Sequence, residues 1–348
     1  MIQIDGSMME GGGQLLRMAT SYSAILNEPI TVFNIRAKRR DPGLKPQHLT
    51  TLQTATKITN ADTTGVELGS QEITFNPENI CGDDYKIDIG TAGSISLLLQ
   101  CINPILWFAD KSSTLSIKGG TAVNWSPTIP FLQQVVYKAF QSMGVNTSIN
   151  VKRHGFYPKG GGEITQKTQL VETLQPLYLK DPFVKRINGI SLCGALPSHI
   201  AIRQANSAKK SLNELRKKTN IKTIIADPTP FSPGSFVVLW CEGSDAYLGA
   251  DCLGARGKPS EVVGEEAALK LITEIRTGSQ VDKHTTDHLI LPASIADGES
   301  VFRTSEITLH TLTAIKVAET FTDAEFKVFG RQGEPGTIRI KGIGHRRG

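Results

Sequence analysis

The chain has 348 residues, of which 39% are hydrophobic and 20% charged, and its formal net charge is +5. This balance excludes a disordered chain or a disulfide-stabilised miniprotein, and it predicts a globular protein of two domains. No apolar run approaches the roughly 20 residues that a membrane-spanning helix needs, so we expect no membrane association.

The cysteines and the first residues bear on cellular location. The five cysteines are odd in number and show no Cys-x-x-Cys spacing, which favours a reducing compartment over a disulfide framework or a zinc site. No basic region followed by an apolar stretch precedes the strand-like segment Ile2–Asp5, so no signal peptide is expected. The sequence therefore predicts a cytoplasmic protein.

A strand, a glycine turn and a helix recur along the chain. In the first copy, Ile2–Asp5 predicts a strand, Gly11–Gly13 a turn and Gln14–Leu26 a helix with an apolar face. The same order follows within Lys86–Ile105, around the turn Gly90–Gly93. Unpaired N–H groups and the helix dipole make such turns suitable for binding anions.

A third, less regular copy is expected near the carboxyl end. Here Leu289–Leu291 predicts a strand, a loop follows through Gly298, and Ser305–Phe321 predicts a helix. Three copies favour an α/β protein whose repeated sheet-and-helix units pack about a shared axis. Neither a P-loop nor a Rossmann fingerprint is present.

The pattern changes between the second and third copies, where residues 184–282 predict a small inserted α/β domain. Its expected elements are strand Ile187–Ala195, helix Ser207–Thr219, strand Thr223–Asp227, strand Ser235–Cys241 and helix Pro259–Arg276. Residues 1–183 and 283–340 then form the larger, catalytic domain. Residues 341–348 are a basic tail that we expect to be frayed.

Basic residues cluster at two places. Five lie between Arg36 and Lys45, interrupted by the turn signal Asp41-Pro42-Gly43, so they are expected on a loop where guanidinium groups can converge on phosphate. A second cluster, from Lys209 to Lys218, is expected on a solvated helix face.

The segment Arg153–Gly162 reads Arg-His-Gly-Phe-Tyr-Pro-Lys-Gly-Gly-Gly, and we call it the signature loop. Its glycines permit positive φ and the close approach of another backbone or a ligand. Its chemistry alone suits either a phosphate cradle or a tight turn between strands.

The signature loop resembles that of RNA 3'-terminal phosphate cyclases. Four further blocks resemble the family in the same order: Asp5-Gly6 with Glu10–Arg17, Ile35–Ala37 with Pro42–Leu44 and Gln47–Leu49, Ile89–Ser94 through Gln100, and Asp287 with Leu289–Pro292 and His310. The resemblance implies a large domain of three repeated units, related to enolpyruvyl transferases, with a small inserted domain.

The resemblance also implies a reaction. It uses ATP, Mg²⁺ or Mn²⁺, and an RNA with a 3'-terminal phosphate. A histidine takes AMP from ATP and releases pyrophosphate, AMP passes to the RNA phosphate, and the neighbouring 2'-OH closes a 2',3'-cyclic phosphodiester with release of AMP. Neutral imidazole is a suitable nucleophile near pH 7.

The family's site residues can be carried over by position. The resemblance assigns the nucleophile to His310 and a metal ligand to Glu10. The positions matched to ATP binding are Gln100, Pro127, His284, Thr285, Thr286, Asp287 and His288. The positions matched to phosphate and RNA-end binding are Arg17, Arg36, Arg39, Gln47 and His48. The signature loop carries none of these roles.

Two positions depart from the family pattern, and two other functions are compatible with parts of it. His288 replaces the family's usual glutamine and His284 an aromatic or other residue, and an i,i+4 histidine pair also suits a metal if a third ligand is found. A non-catalytic cyclase-like RNA-binding protein of ribosome assembly shares the fold but lacks the histidine, and an enolpyruvyl transferase would lack Gln47 and His48. Homodimer formation is left open.

Overall fold

The computed structural model describes residues 1–348, in which four β-sheets are covered by helices. The first unit contains β1 (Ile2–Asp5), α1 (Gly13–Leu26), β2 (Ile30–Phe33), α2 (Pro46–Thr59), β3 (Asp62–Thr64) and β4 (Ile73–Asn76). Its strands lie in the order β1-β2-β4-β3. The first pair is parallel and the other two pairs are antiparallel.

The second unit repeats this topology. It contains β5 (Asp84–Asp88), α3 (Ile95–Trp107), β6 (Ser113–Gly119), α4 (Ile129–Phe131), a π-helical turn (Leu132–Val136), α5 (Tyr137–Ser142), β7 (Thr147–Arg153) and β8 (Gly162–Thr168). The order β5-β6-β8-β7 again pairs two parallel strands before two antiparallel ones. The predicted repeat of strand, glycine turn and helix is therefore confirmed for the first two units.

A fourth sheet follows the second unit and carries its own helices. This segment contains β9 (Phe183–Gly194), α6 (His199–Leu212), a 3₁₀ turn (Asn213–Leu215), β10 (Lys218–Ile225), β11 (Gly234–Ser244), β12 (Gly249–Leu253) and α7 (Ser260–Arg276). Side chains alternate across β11: Val237 and Leu239 join a separate core beneath α6 and α7, whereas Phe236 and Val238 join the main core. The sheet is therefore buried on both faces.

The third unit contains α8 (Lys283–Ile295), β13 (Glu299–Thr304), α9 (Leu309–Phe321), β14 (Glu325–Phe329) and β15 (Gly336–Lys341). Its sheet has only three strands, in the order β13-β15-β14. A parallel bridge between Tyr178 and Val301 stands where the other units have a first strand. The segment 183–276 thus lies between this short strand and the unit's first helix.

The prediction of a strand over Leu289–Leu291 is wrong, because these residues lie within α8. Buried apolar residues surround them, and a short apolar run of this kind does not distinguish a buried helix from a buried strand. The third unit therefore runs helix, strand, helix from Lys283, and its strand is β13.

The helix predicted over Ser207–Thr219 is also displaced. Helix α6 ends at Leu212, and Lys218 already begins β10, so the basic residues after Leu212 do not share one helix face. The carboxyl-terminal residues are not frayed. The backbone N–H of His345 donates to Ile295 O over 2.9 Å, and that of Arg347 donates to Glu172 O over 2.9 Å.

Helix α1 lies at the centre of the arrangement that positions the site. Every residue from Gln14 to Ile25 is buried, and the helix contacts α2, α3 and α9, while α8 packs on α9. These contacts bring the amino-terminal turns of helices from three units towards one region. None of the protein's helices combines the length and the apolar character needed to span a bilayer.

Candidate active site

A cleft of about 550 Å³, the central cleft, opens between the three units and the segment 183–276. Seven of the residues predicted for the site line it: Arg17, Gln100, Pro127, His284, Asp287, His288 and His310. They come from the first, second and third units, so the fold assembles residues that are far apart in the chain.

His310 is the second residue of α9 and is held by Gln14 of α1. The Nε2 amide group of Gln14 donates to the His310 carbonyl oxygen over 3.3 Å, and Gln14 Oε1 lies 2.6 Å from His310 Nδ1. A carbonyl oxygen can only accept, so the amide orientation is fixed and Nδ1 must donate. The lone pair is therefore on Nε2.

The protonation of His310 follows from its surroundings. Desolvation of the ring in the cleft, followed by the positive charges of Arg17 and Arg39, lowers the pKa of His310 below its usual 6.5. The side chain of Thr308 caps α9 by accepting from Thr311 N over 2.9 Å, which places the helix amino terminus next to the ring. A neutral imidazole with Nε2 unprotonated is a nucleophile at neutral pH.

Arg17 is a buried guanidinium that lacks a carboxylate partner. It is 7% exposed, and its Nε donates to Gln100 Oε1 over 3.0 Å. Burial lowers the pKa of Arg17 to about 10, so the group stays charged at neutral pH. Burying an unpaired charge is costly, and a phosphate in the central cleft would provide the missing countercharge.

His48 and Gln47 extend this region towards the second unit. A Cβ added at Gly13 would lie 2.8 Å from Arg17 Nη1 and would also overlap the His48 ring, so only glycine fits between these side chains. Burial, followed by Arg17 and other basic neighbours, lowers the pKa of His48 to about 3. Gln47 Oε1 accepts from Ser94 N over 3.1 Å and joins α2 to the turn before α3.

The basic loop contributes differently at its two predicted positions. Arg36 donates to the carbonyl oxygens of Asp41 and Gly43 over 2.8 and 2.9 Å, so its guanidinium shapes the loop. Arg39 reaches across the loop and forms an ion pair with Glu10. Arg39, which the resemblance matched to phosphate and RNA-end binding, is therefore paired with a carboxylate in this structure.

Glu10 was the one metal ligand expected from the sequence. Its carboxylate is mostly buried, and Oε2 has no hydrogen-bond partner, while Oε1 pairs with Arg39. One carboxylate oxygen fits Mg²⁺ or Mn²⁺ that is bound mainly by water and substrate phosphates. No group of three or more His, Cys, Asp or Glu side chains is arranged to hold a metal ion by itself, and this includes His284 and His288.

Helix α8 supplies one wall of the central cleft. The side chain of Asp282 caps it by accepting from the N–H groups of His284 and Thr285 over 2.9 and 2.8 Å. The hydroxyls of Thr285 and Thr286 are buried and donate to Asp282, so these two predicted residues position the helix and do not line the cleft.

Asp287 and the two histidines of α8 face the cleft. Asp287 Oδ1 accepts from the hydroxyls of Thr308 and Thr311 over 3.2 and 2.7 Å, which ties α8 to the amino terminus of α9. Burial raises the pKa of Asp287 to about 7. Burial lowers the pKa of His284 to about 4 and that of His288 to about 3, so both rings are neutral.

Several functional candidates were missed from the sequence. Asp251, Lys258, Glu266 and Lys270 line the cleft from the far side, and Gln14 orients the His310 ring. Lys258 Nζ pairs with Glu266 over 2.5 Å. Gln14 belongs to a recognised block, yet no pattern showed that it meets a residue 296 positions away.

The signature loop lies beside this cleft and carries a structural role. It joins β7 to β8 within the second unit, and the Arg153 guanidinium stacks 4.6 Å from the Phe231 ring centroid. Lys159 N donates to Ser232 Oγ over 3.1 Å. The loop thus forms a turn between two strands, one of the two alternatives that its chemistry allowed, and contacts the segment 183–276.

A neutral histidine, a buried arginine and the amino termini of helices around one cleft define an α/β protein suited to phosphorylated ligands. The family model described as RNA 3'-terminal phosphate cyclase matches residues 8–328. The chain belongs to the RNA 3'-terminal phosphate cyclase family, a family of ATP-using, ligase-type enzymes of RNA processing. The resemblance found in the sequence motifs is therefore confirmed.

Curated relatives agree over nearly the whole chain. The RNA 3'-terminal phosphate cyclase of Desulfurococcus amylolyticus is 44% identical and covers 99% of this chain and 99% of its own length. That of Methanosarcina barkeri is 45% identical over 96% of this chain and 98% of its own length. That of Pyrococcus furiosus is 40% identical over 98% of both.

Among solved structures, EPSP synthase from Acinetobacter baumannii gives a TM-score of 0.30 at 11% identity, and the match covers 99% of this chain and 65% of that chain. At this similarity the match adds nothing to the description of the sheets. The mixed α/β class that the sequence predicted is confirmed by the strands and helices themselves.

Proposed function

We propose that this protein converts an RNA 3'-terminal phosphate into a 2',3'-cyclic phosphodiester through a covalent histidine–AMP intermediate on His310. The observation that carries the proposal is the contact between Gln14 and His310. It leaves Nε2 unprotonated at the edge of a cleft that also contains the Arg17 guanidinium.

The first step is attack of His310 Nε2 on the α-phosphorus of ATP. A nitrogen–phosphorus bond forms, the bond to the bridging oxygen of the β-phosphate breaks, and pyrophosphate leaves. The Nδ1 proton stays on Gln14's side of the ring, so the positive charge that develops on the imidazole is stabilised by the Gln14 carbonyl oxygen. Arg17 and the amino-terminal turn of α9 neutralise charge on the phosphoryl oxygens.

In the second step an oxygen of the RNA 3'-phosphate attacks the same phosphorus and releases His310. In the third, the 2'-OH attacks the RNA phosphorus and expels AMP, which closes the ring. The His48 ring lies beside Gly13, next to the Arg17 guanidinium, and Arg39 is paired with Glu10. We assign His48 and Arg39 to the RNA phosphate. Glu10 Oε2 would hold a divalent cation, which when bound neutralises phosphate charge.

The nucleotide is proposed to lie in the central cleft, with its base between Pro127 and α8. His284 and His288 are neutral there and can stack or donate a hydrogen bond.

Asp251 and Lys258 bring residues 184–282 into the site, which supports the assignment of these residues as an inserted domain that completes the cleft. The five free cysteines support the expected cytoplasmic location.

A non-catalytic cyclase-like protein would not need an oriented, neutral histidine, and an enolpyruvyl transferase would not need the His48–Arg17 pair. The test is to mix the protein with ATP, Mg²⁺ or Mn²⁺, and an oligoribonucleotide labelled in its 3'-phosphate. We expect the label to become resistant to phosphatase and pyrophosphate to be released. An oligonucleotide with a 2'-deoxy end is the control, and it should stop as the adenylated species. Loss of all label to phosphatase with both metals would exclude the proposal.

A further inference from the structure

A second cleft of about 810 Å³, the side cleft, adjoins the central cleft. Val123, Asn124, Leu253 and Lys258 line both clefts, so the two are continuous. The walls of the side cleft come from the signature loop on one side and from residues 196–263 on the other. None of the site residues carried over from the family lies in it.

The charge of the side cleft is of one sign. The charged residues of its lining are Arg256 and Lys258, and Lys258 is paired with Glu266 of the central cleft. Arg256 is exposed and takes part in none of the protein's salt bridges, so it carries the unpaired charge. An unpaired guanidinium in a cleft lined by no carboxylate is complementary to a backbone phosphate of a polyanionic strand.

The side cleft also offers an aromatic surface. Tyr157 is 75% exposed on the signature loop and lines the cleft beside Phe156 and Pro158. An exposed ring next to basic side chains is the arrangement that binds single-stranded nucleic acid by stacking. Two polar side chains of the lining are tied together, since Gln204 Nε2 donates to Ser235 Oγ over 2.8 Å.

A second route joins this cleft to the phosphate-binding region. Gln47 holds Ser94 N, at the end of the turn Gly90–Gly93. A Cβ added at Gly160 would lie 2.7 Å from Ala92 Cα, so the signature loop packs directly on that turn. These contacts place the signature loop, which carries Tyr157, against the turn that Gln47 holds.

We propose that the side cleft binds the nucleotides that immediately precede the 3'-terminal phosphate of an RNA substrate, with Tyr157 stacking on a base and Arg256 pairing with a backbone phosphate. This rests on the proposed function, because it assigns the strand whose end that function modifies. The structure thereby gives the signature loop a binding role besides its structural one.

The test compares a hexaribonucleotide and a dinucleotide, both 3'-phosphorylated, in Tyr157→Ala, Tyr157→Phe and Arg256→Ala variants. Tyr178→Ala and Arg331→Ala are the matched controls, since both residues are exposed and line neither cleft. We measure KM for cyclisation, self-adenylation without RNA, and Kd by fluorescence anisotropy without ATP.

In Tyr157→Ala, KM and Kd for the hexamer should rise about tenfold while those for the dinucleotide stay unchanged, and Tyr157→Phe should restore both. In Arg256→Ala, the slope of log Kd against the logarithm of salt concentration should become shallower by about 0.7, because one phosphate contact is lost. If KM and Kd for the hexamer in Tyr157→Ala and Arg256→Ala equal those of the control variants, the binding proposal is overturned. Cyclisation by the wild type would then still support the proposed function. If the wild type never cyclises RNA, but Tyr157→Ala still weakens binding of the hexamer and not of the dinucleotide, the proposed function is wrong and the binding site stands.

Discussion

At the scale of single residues, the orientation of one amide decides which nitrogen of His310 carries the proton and which carries the lone pair. Gln14 contacts both the ring and the backbone carbonyl of His310, so rotation of the amide would lose both hydrogen bonds. The motif identified the histidine. The tautomer came only from the contact between α1 and α9.

The first prediction concerns the nucleophile itself. His310→Ala should reduce covalent adenylate by at least about 10³-fold, because it removes the nitrogen that we propose as the nucleophile. The measurement is transfer of label from α-labelled ATP to protein. His199→Ala, at the exposed start of α6, is the control and should label normally. Labelled His310→Ala protein would contradict the assignment.

The second prediction concerns pH. Arg39 lowers the pKa of His310, so removing it in Arg39→Ala should raise that pKa towards 6.5. The protonated, unreactive form then appears at higher pH, and the acidic limb of the self-adenylation rate should move to higher pH. Rates are measured at saturating ATP. Arg40→Ala, in the same loop, should leave the limb in place, and a downward shift in Arg39→Ala would refute the argument.

At the scale of elements, α8 is the clearest difference between pattern and structure. Its apolar residues suggested a strand because periodicity over a few residues is ambiguous. The structure makes it a helix whose capping residue, Asp282, also accepts from Gly249 N over 3.1 Å on β12. A capping contact with a strand more than thirty residues earlier leaves no signal in the local sequence.

The third prediction uses the buried acids at this junction. Burial raises the pKa of Glu274 and of Asp282, so the folded state retains protons that the unfolded state releases. These groups contribute their full stabilisation at pH values below the pKa that they have in the unfolded chain. That contribution is lost as pH rises through the pKa that they have in the folded protein. Glu274→Gln removes one of them, so its unfolding free energy relative to wild type should increase between pH 4.5 and 8.

The increase should amount to about 1.4 kcal/mol for each unit by which the Glu274 pKa is raised. Urea denaturation of both proteins across the pH range measures it. Glu319→Gln, on the exposed face of α9, is the control and should show no such rise with pH. A difference between Glu274→Gln and wild type that falls with rising pH would contradict the assignment.

At the scale of the whole molecule, close contacts fix residues 183–276 against the second unit. Gly249 leaves room for Phe131 and Val135, and Thr128 N donates to Asp251 Oδ2 over 2.9 Å. Gly161 of the signature loop lies against the Phe231 ring. These contacts hold the segment 183–276 in place beside the central cleft, which Phe131 and Asp251 line.

The fourth prediction tests this packing with two glycines of equal conformation. Gly161 and Gly278 both have φ of 66°, but a Cβ would overlap Phe231 at Gly161 and meet nothing within 4 Å at Gly278. Gly278→Ala should cost about 1–2 kcal/mol from backbone strain alone. Gly161→Ala should cost about 1–3 kcal/mol more.

Urea denaturation measures both variants, and Phe231→Ala in the Gly161→Ala background should recover the additional loss. Equal destabilisation by the two alanines would show that the contact with Phe231 contributes nothing.

The sequence by itself determined the family, the mixed α/β class and the first two repeated units, because strand periodicity, glycine turns and ordered motifs are local properties. It also named His310, Arg17 and Gln100, which the structure brings into one cleft. Only the tertiary structure decided the Gln14–His310 contact, the pairing of Arg39 with Glu10, and the helix at Leu289. Each of these features depends on residues that are distant in the chain, because burial and partners from other parts of the fold set the charge of a side chain and the conformation of a segment.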